Sequence, residues 1–248
     1  VRLLLDLGNT RAKWAWLRAD GLQRASAVAW RDAGWADTLV AAWAQAPAPA
    51  AVWIAAVAPQ AQVDELMRRI DGLWPGVPVR QLVSPQAGGG IVNAYAAPER
   101  LGVDRFLAMV AARARAATPA VVAGFGTAVA VDVIDGEGRH LGGVIAPSPD
   151  RMQQTVLAST ARVLVDHPAP AGPLGTSTEQ ALASGCWLAV AALVDRVAAD
   201  ATADGGPRPE ILLHGGDAPR VAPLLRVPCR IVPDLVLEGL ATWVDHGA

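Results

Sequence analysis

The chain has 248 residues, 52% of them hydrophobic and 18% charged, with a formal net charge of -2. That is ample core for one large or two ordinary globular domains, and scattered arginines on a near-neutral chain argue against a dedicated nucleic-acid surface. No unbroken apolar run reaches the roughly 18 residues of a membrane span; Leu3–Leu5 is too short for a signal peptide and meets Asp6 at once. Cys186 and Cys229 are isolated and lack metal-ligand spacing, so they read as buried thiols of a cytoplasmic protein.

In chain order, Val1–Leu7 and Thr10–Leu17 alternate as a hairpin, with Trp14 and Trp16 on one face. Gly21 turns the chain into a third strand, Leu22–Trp30. Asp32 is placed to cap a helix to about Gln45, with Trp35, Leu39 and Trp43 at helical spacing. After Pro47 and Pro49, Ala51–Val57 reads as a buried strand, Gln60–Leu73 as a helix and Val77–Val83 as a strand. Gly88–Gly90 turn into Ile91–Tyr95, and Pro98 opens a helix to about Ala117, with Glu99 near its positive end.

Past Pro119 the pattern repeats. Leu3–Leu17 set against Val121–Asp135 at an offset of 118 matches apolar with apolar, Gly8 with Gly126, Asn9 with Thr127 and Asp6 with Gly124. His140–Ala146 is the third strand of the second copy, followed by a helix from Pro149 to about Ala161 and a proline-rich loop, Asp166–Gly175. Thr176 and Glu179 read as a capping box for a helix to about Ala203 that buries Leu182, Cys186, Val190, Leu193 and Val197. Ile211–Leu213 and Arg230–Val232 are strands, and Pro233–Asp245 is a closing helix. The expected fold is α/β. Two similar halves, 1–117 and 118–248, would each carry a mixed sheet flanked by helices, with a cleft between them.

Three stretches carry chemistry. Gly8-Asn9-Thr10 alone is an ordinary hairpin turn, but Asp6 ends an apolar strand, where an idle carboxylate is expensive. Lys13 is the only lysine of the chain, and it points away from Trp14 and Trp16. Turn amides, a hydroxyl and a lysine suit a polyphosphate, and a carboxylate suits its metal. Gly102-Val103-Asp104-Arg105 sits within the helix begun at Pro98. It reads either as a solvated ion pair or as a site where Gly102 admits a ligand, Asp104 takes a proton and Arg105 holds an anion. Gly124-Phe125-Gly126-Thr127-Ala128 is the second turn, weak evidence by itself. His140, His167 and His246 have no partner pattern, and His214 reads as a plain loop histidine.

Together these pieces resemble the type III pantothenate kinases, within the superfamily of acetate and sugar kinases, Hsp70 and actin. The resemblance rests on DLGNT (Asp6–Thr10) with Lys13, Tyr95 leading to GVDR (Gly102–Arg105), GTA (Gly126–Ala128), LGGVIAP (Leu141–Pro147), STEQALASG (Ser177–Gly185) and HGGDA (His214–Ala218), in that order. It implies two ribonuclease-H-like domains. ATP phosphates and their cation would be bound by Asp6, Leu7, Gly8, Asn9, Thr10, Arg11, Ala12 and Lys13, with Thr127 on the nucleotide. Pantothenate would be bound by Tyr95, Gly102, Val103, Asp104, Arg105 and Thr178, with Asp104 as general base. It further implies Mg2+ acting through Asp6, a monovalent cation (K+ or NH4+) and a homodimer.

The chain departs from the pattern at Gly124, where the family's aspartate for the monovalent cation is missing, and at Ser148, Ser177 and His214. The implied reaction is ATP-dependent phosphorylation of pantothenate to 4′-phosphopantothenate, the first step toward coenzyme A. The competing readings are a Bvg accessory factor-like regulatory binding protein with weakened catalysis, and a kinase of the superfamily acting on another small molecule.

Overall fold

The computed structural model describes residues 1–29, 32, 34–159, 174–202 and 207–246. Its elements in chain order are β1 (Arg2–Leu7), β2 (Arg11–Arg18), β3 (Gly21–Ala29), α1 (Trp35–Trp43), β4 (Val52–Ala56), α2 (Gln60–Leu73), β5 (Val79–Leu82), the short pair β6 (Ala87–Gly88) and β7 (Ile91–Val92), and α3 (Val103–Arg115). Then come β8 (Ala120–Phe125), β9 (Ala128–Ile134), β10 (His140–Pro147), α4 (Pro149–Ser159), α5 (Thr178–Asp200), β11 (Glu210–Gly215), α6 (Ala218–Val221), β12 (Arg230–Ile231) and α7 (Leu235–His246). They form two compact units, Val1–Ala116 with Leu235–Ala248, and Ala117–Asp234.

The first unit holds a five-stranded sheet in the order β3-β2-β1-β4-β5, antiparallel in the β1–β2–β3 meander and parallel from β1 to β5. Its central strand is buried on both faces, which is why Leu3, Leu4 and Leu5 run without alternation. Leu3, Leu5, Leu7, Ala12, Trp14 and Ile54 pack under α1 and α2 against Leu39, Trp43, Val63, Leu66 and Ile70. Trp43 anchors that layer, edge-on to Trp14 at 6.2 Å and stacked on Trp74 at 6.0 Å. Each such fully buried side chain contributes about 1.5–3 kcal/mol over its exposed state. The opposite face, with Leu4 and Asp6, is served by α3 and α7.

The second unit repeats the plan: β10-β9-β8-β11-β12, with the same meander and the same parallel pairs. Val121, Ala123, Phe125, Val129, Val131, Ile211 and Leu213 pack under α5 and α6 against Trp187, Val190, Val194 and Val221. α5 is long and apolar enough to cross a bilayer by composition, but Cys186, Trp187, Val190, Ala191, Val194 and Ala198 are core.

Several boundaries differ from expectation. α1 begins at Trp35, with Gly34 in the left-handed region at the N-cap, where Asp32 was expected. α5 is capped one residue later than expected. The Ser177 hydroxyl accepts the Gln180 N–H at 3.3 Å, and the Gln180 side-chain Oε1 accepts the Thr176 N–H at 3.0 Å, so the box is Ser177 with Gln180 and not Thr176 with Glu179. The closing helix was expected in the second half, yet α7 packs on α3 in the first unit, with Phe106 edge-on to Trp243 at 5.8 Å. The proline-rich loop up to Pro173 and the expected helix ends at Ala161 and Ala203 lie outside the described residues.

Candidate functional site

In the first unit, the β1–β2 register sets Asp6 directly opposite Lys13. Residues opposed in a ladder project from the same face, so carboxylate and ammonium stand together at the turn end, away from the α1/α2 layer. Both are half-buried, while Asn9, Thr10 and Arg11 are exposed and Leu7 and Ala12 are buried beneath them. The Gly8 N–H donates to the Arg11 carbonyl at 3.0 Å and closes the turn. On its other side Asp6 pairs in register with Ala55 of β4.

The Gly102–Arg105 stretch is built differently from the reading that buried it inside a helix. A short 3-10 turn, Pro98–Arg100, precedes α3, and Gly102 is the N-cap residue at φ -53°, ψ 129°. No helix-interior penalty applies to it. Its value is space: a Cβ there would come 2.6 Å from Asp104 Oδ1. Asp104 therefore folds back over the helix start, where Oδ1 accepts the Arg105 N–H at 2.9 Å, and the first turn of a helix favours negative charge. Arg105 reaches the other way. Its Nη1 donates to the Tyr95 hydroxyl at 3.1 Å, and its guanidinium carbon lies 5.8 Å from the ring centroid.

Tyr95 is held by groups that the sequence reading missed. Asn93 is 2% exposed; its Oδ1 accepts the Tyr95 N–H at 3.0 Å, and its Nδ2 donates to the carbonyls of Pro85 and Pro98, both at 3.2 Å. Gln86 Nε2 donates to the Asn93 carbonyl at 2.8 Å, and buried Ser84 to the Leu101 carbonyl at 2.8 Å. The signal available was an Asn two residues before the only tyrosine, in a glycine-rich hairpin.

In the second unit the Gly126 N–H donates to the Ala128 carbonyl at 3.0 Å, the counterpart of the Gly8 closure. Leu7 faces Ala12 where Phe125 faces Val129, so the second turn is one residue shorter. Counted back from β9, Thr127 corresponds to Thr10, and Ala130 stands where Lys13 does. Gly124 pairs in register with His214 of β11. A Cβ on Gly124 would meet the His214 ring, 2.7 Å from Nε2 and 2.9 Å from Cε1. His214 is thus a strand residue over the second turn, not a plain loop histidine. Gly215 follows at φ 95°, its Cα pressed on the Phe125 backbone. Thr178 is exposed in the first turn of α5.

Asp217, just beyond β11, is half-buried, and burial pushes its carboxyl above the ordinary 3.8; Arg220, at 3.6 Å, opposes the shift and Asp150 adds to it. Asp132 and His140, given no role by spacing, form a buried pair at 3.0 Å on adjacent strands. A cavity of about 570 Å³ bordered by Thr202, Arg208, Glu210, Arg226 and Arg230 opens at the start of β11, whereas His214 is at its end. None of the site residues expected from sequence lines it.

Two sheets of one strand order, each with a glycine-bearing turn between its first two strands, give the chain the fold seen in actin-like ATPases and sugar kinases. Among solved structures, the chain is similar to a conserved protein from Campylobacter jejuni described as a Baf family transcriptional activator (17% identity, TM-score 0.58, covering 98% of this chain and 97% of that one). It is also similar to the ADPNP-bound activator of 2-hydroxyisocaproyl-CoA dehydratase from Clostridium difficile (11%, TM-score 0.55, covering 98% and 93%). At such identities the likeness is one of fold. The type III pantothenate kinase family model matches residues 2–200. The type III pantothenate kinase of Halorhodospira halophila is 38% identical over 100% of this chain and 99% of its own length. The chain belongs to the type III pantothenate kinase family.

Proposed function

We propose that this chain transfers the γ-phosphoryl group of ATP to the primary hydroxyl of pantothenate, giving 4′-phosphopantothenate at the entry to coenzyme A synthesis. Full-length membership of the family carries the reading, and the Tyr95–Arg105–Asp104 arrangement supports it. Phosphoryl transfer asks the protein chiefly for positioning and charge neutralisation. Arg105, already turned toward Tyr95, grips the pantothenate carboxylate with Tyr95 beside it, and Gly102 and Val103 border the substrate. Asp104 accepts the hydroxyl proton as the bond to phosphorus forms. Lys13 and the amides of the Gly8-Asn9-Thr10 turn hold phosphate oxygens, with Thr127 on the nucleotide.

The donor set at the first turn fits Mg2+, an ion that keeps waters and is usually held by one or two carboxylates plus substrate phosphates. Asp6 would hold it with phosphate oxygens and waters, and when bound it supplies charge neutralisation to the transferring group.

In this reading the chain works in the cytoplasm as a homodimer. β10 is an edge strand with Leu141 and Ile145 each 62% exposed, and α4 buries only Pro149. An apolar edge of this kind is normally covered. Light scattering should give the dimer mass, and Ile145→Arg should shift it to the monomer; a monomeric wild type would remove the dimer from the proposal.

The function is tested by a coupled assay of purified protein with ATP and pantothenate. Turnover that saturates in both substrates is expected. A folded protein that binds ATP but leaves pantothenate unphosphorylated would defeat the reading.

A further inference from the structure

The two phosphate turns are not chemically alike, and the difference is a reciprocal exchange between paired strands. In the first unit, Asp6 on the central strand faces Ala55 on the next strand. At the matching position of the second unit, Gly124 on the central strand faces His214. The larger side chain comes from the central strand in one copy and from its neighbour in the other. Both pairs lie on the face away from the core layer under the helices, since Leu5, Leu7, Ala123 and Phe125 point into those layers.

The His214 ring takes the place that a side chain at position 124 would have. A Cβ built on Gly124 falls 2.7 Å from Nε2 and 2.9 Å from Cε1, distances that real Cβ atoms do not tolerate. The backbone fixes the strand end that carries the ring, because Gly215 is pressed against the Phe125 main chain and pins the end of β11 to the end of β8. An imidazole carries at least one N–H donor in either neutral tautomer. A glycine offers a cation no side-chain ligand. The space that would admit a carboxylate for a monovalent cation is filled by a ring that brings no anionic oxygen, so the side chains present do not fit K+ or NH4+ at this turn.

We propose that His214 is a nucleotide-phosphate-binding residue and that the second turn engages phosphate without a monovalent cation. This rests on the kinase reading only in taking the ligand to be a nucleoside polyphosphate.

ADP and ATP binding, measured by calorimetry with K+, NH4+ or tetramethylammonium as the sole monovalent cation, is the test. The wild-type Kd should agree within about twofold across the three salts; tightening of about tenfold or more in K+ or NH4+ overturns the proposal. His214→Ala should weaken nucleotide binding by about tenfold in every salt while leaving pantothenate affinity unchanged, as expected for losing one hydrogen bond to a charged group. Unaltered nucleotide affinity overturns it. If His214→Ala fails to fold, His214→Leu, which keeps bulk without a donor, carries the same expectation. Gly124→Asp combined with His214→Thr should bind nucleotide about tenfold tighter in K+ than in tetramethylammonium; indifference to K+ would show that the ring is not what excludes the cation. Failure to phosphorylate pantothenate in any salt would count against the kinase reading, while the titrations would still decide the role of His214.

Discussion

Asp6 and Asp104 are carboxylates held in opposite ways, and their substitutions should fail differently. Asp6 stands beside Lys13 near the end of a strand whose four leucines are all buried. Asp6→Asn keeps the shape and removes the charge, so the melting temperature should hold while kcat falls to near background; a mild effect would mean that the cation binds elsewhere. Asp104 lies over the first turn of α3, where its Oδ1 accepts the Arg105 N–H. As general base it should be worth about 10²–10⁴ in rate. Asp104→Asn should therefore lower kcat by that factor with the KM for ATP unchanged, and an unaltered kcat would remove its role. Asp217 provides a test in pH. Burial raises its folded carboxyl above the ordinary 3.8 despite Arg220. Between 3.8 and the raised value the folded chain holds more protons than the unfolded one, so this group's contribution to stability declines as pH rises through that window. Asp217→Asn should melt higher than wild type at neutral pH, with the gap closing below 3.8; a gap that stays constant with pH would assign the shift elsewhere.

At the level of elements, close approach decides where glycine must stand. α7 crosses α3 at Gly239, and a Cβ there would drive into the Leu107 carbonyl. Gly239→Ala should thus cost about 1–3 kcal/mol through overpacking, although alanine is the better helix former; denaturant unfolding reads it directly, and a stabilised variant would show that the helices can part. Nothing in the sequence marks Gly239, because helical spacing carries no information about which partner a helix meets. Strands were legible for the opposite reason. The buried run Leu3–Leu5 and its echo Val121–Ala123 are set by burial on both faces, a local signature, and the repeat of Gly8 as Gly126 followed from it. The shorter second turn was not legible, since an apolar match at fixed offset is insensitive to one residue lost between strands. Asp104 and Arg105 were read inside a helix that was begun too early, and the Arg105 side chain turns to Tyr95 and not to Asp104. Pro98 opens a 3-10 turn that ends at Arg100, and Gly102 is a cap. His214 was passed over because its meaning lies in Gly124, a partner distant in sequence that only the β8–β11 register brings alongside.

For the whole chain, the consequential feature is that its two compact units are not its two halves. A cut at Thr118 separates the repeats, yet α7 returns to the first unit, where Leu235, Leu237 and Leu240 are each 2% exposed or less and Trp243 meets Phe106. Arg2 pairs with Asp245 at 2.7 Å and Arg115 with Glu238, tying that helix to both ends of the first segment. Surface pairs of this kind contribute little. The apolar face of α7 contributes far more, on the order of 5 kcal/mol or above from several buried side chains, which matches the whole stability of an ordinary domain. Removal of residues 235–248 should therefore unfold the unit farther away in sequence. The tryptophans make this measurable, since Trp187 is the only one between residues 117 and 234. In a chain ending at Asp234, emission from the first unit should move to the red and its aromatic circular dichroism should collapse. The same truncation with Trp187 as the sole tryptophan should keep a blue, native-like emission. Were the truncated chain to keep native emission from Trp14, Trp43 and Trp74, α7 would be an accessory cover, and the boundary at Thr118 would describe the folding units after all.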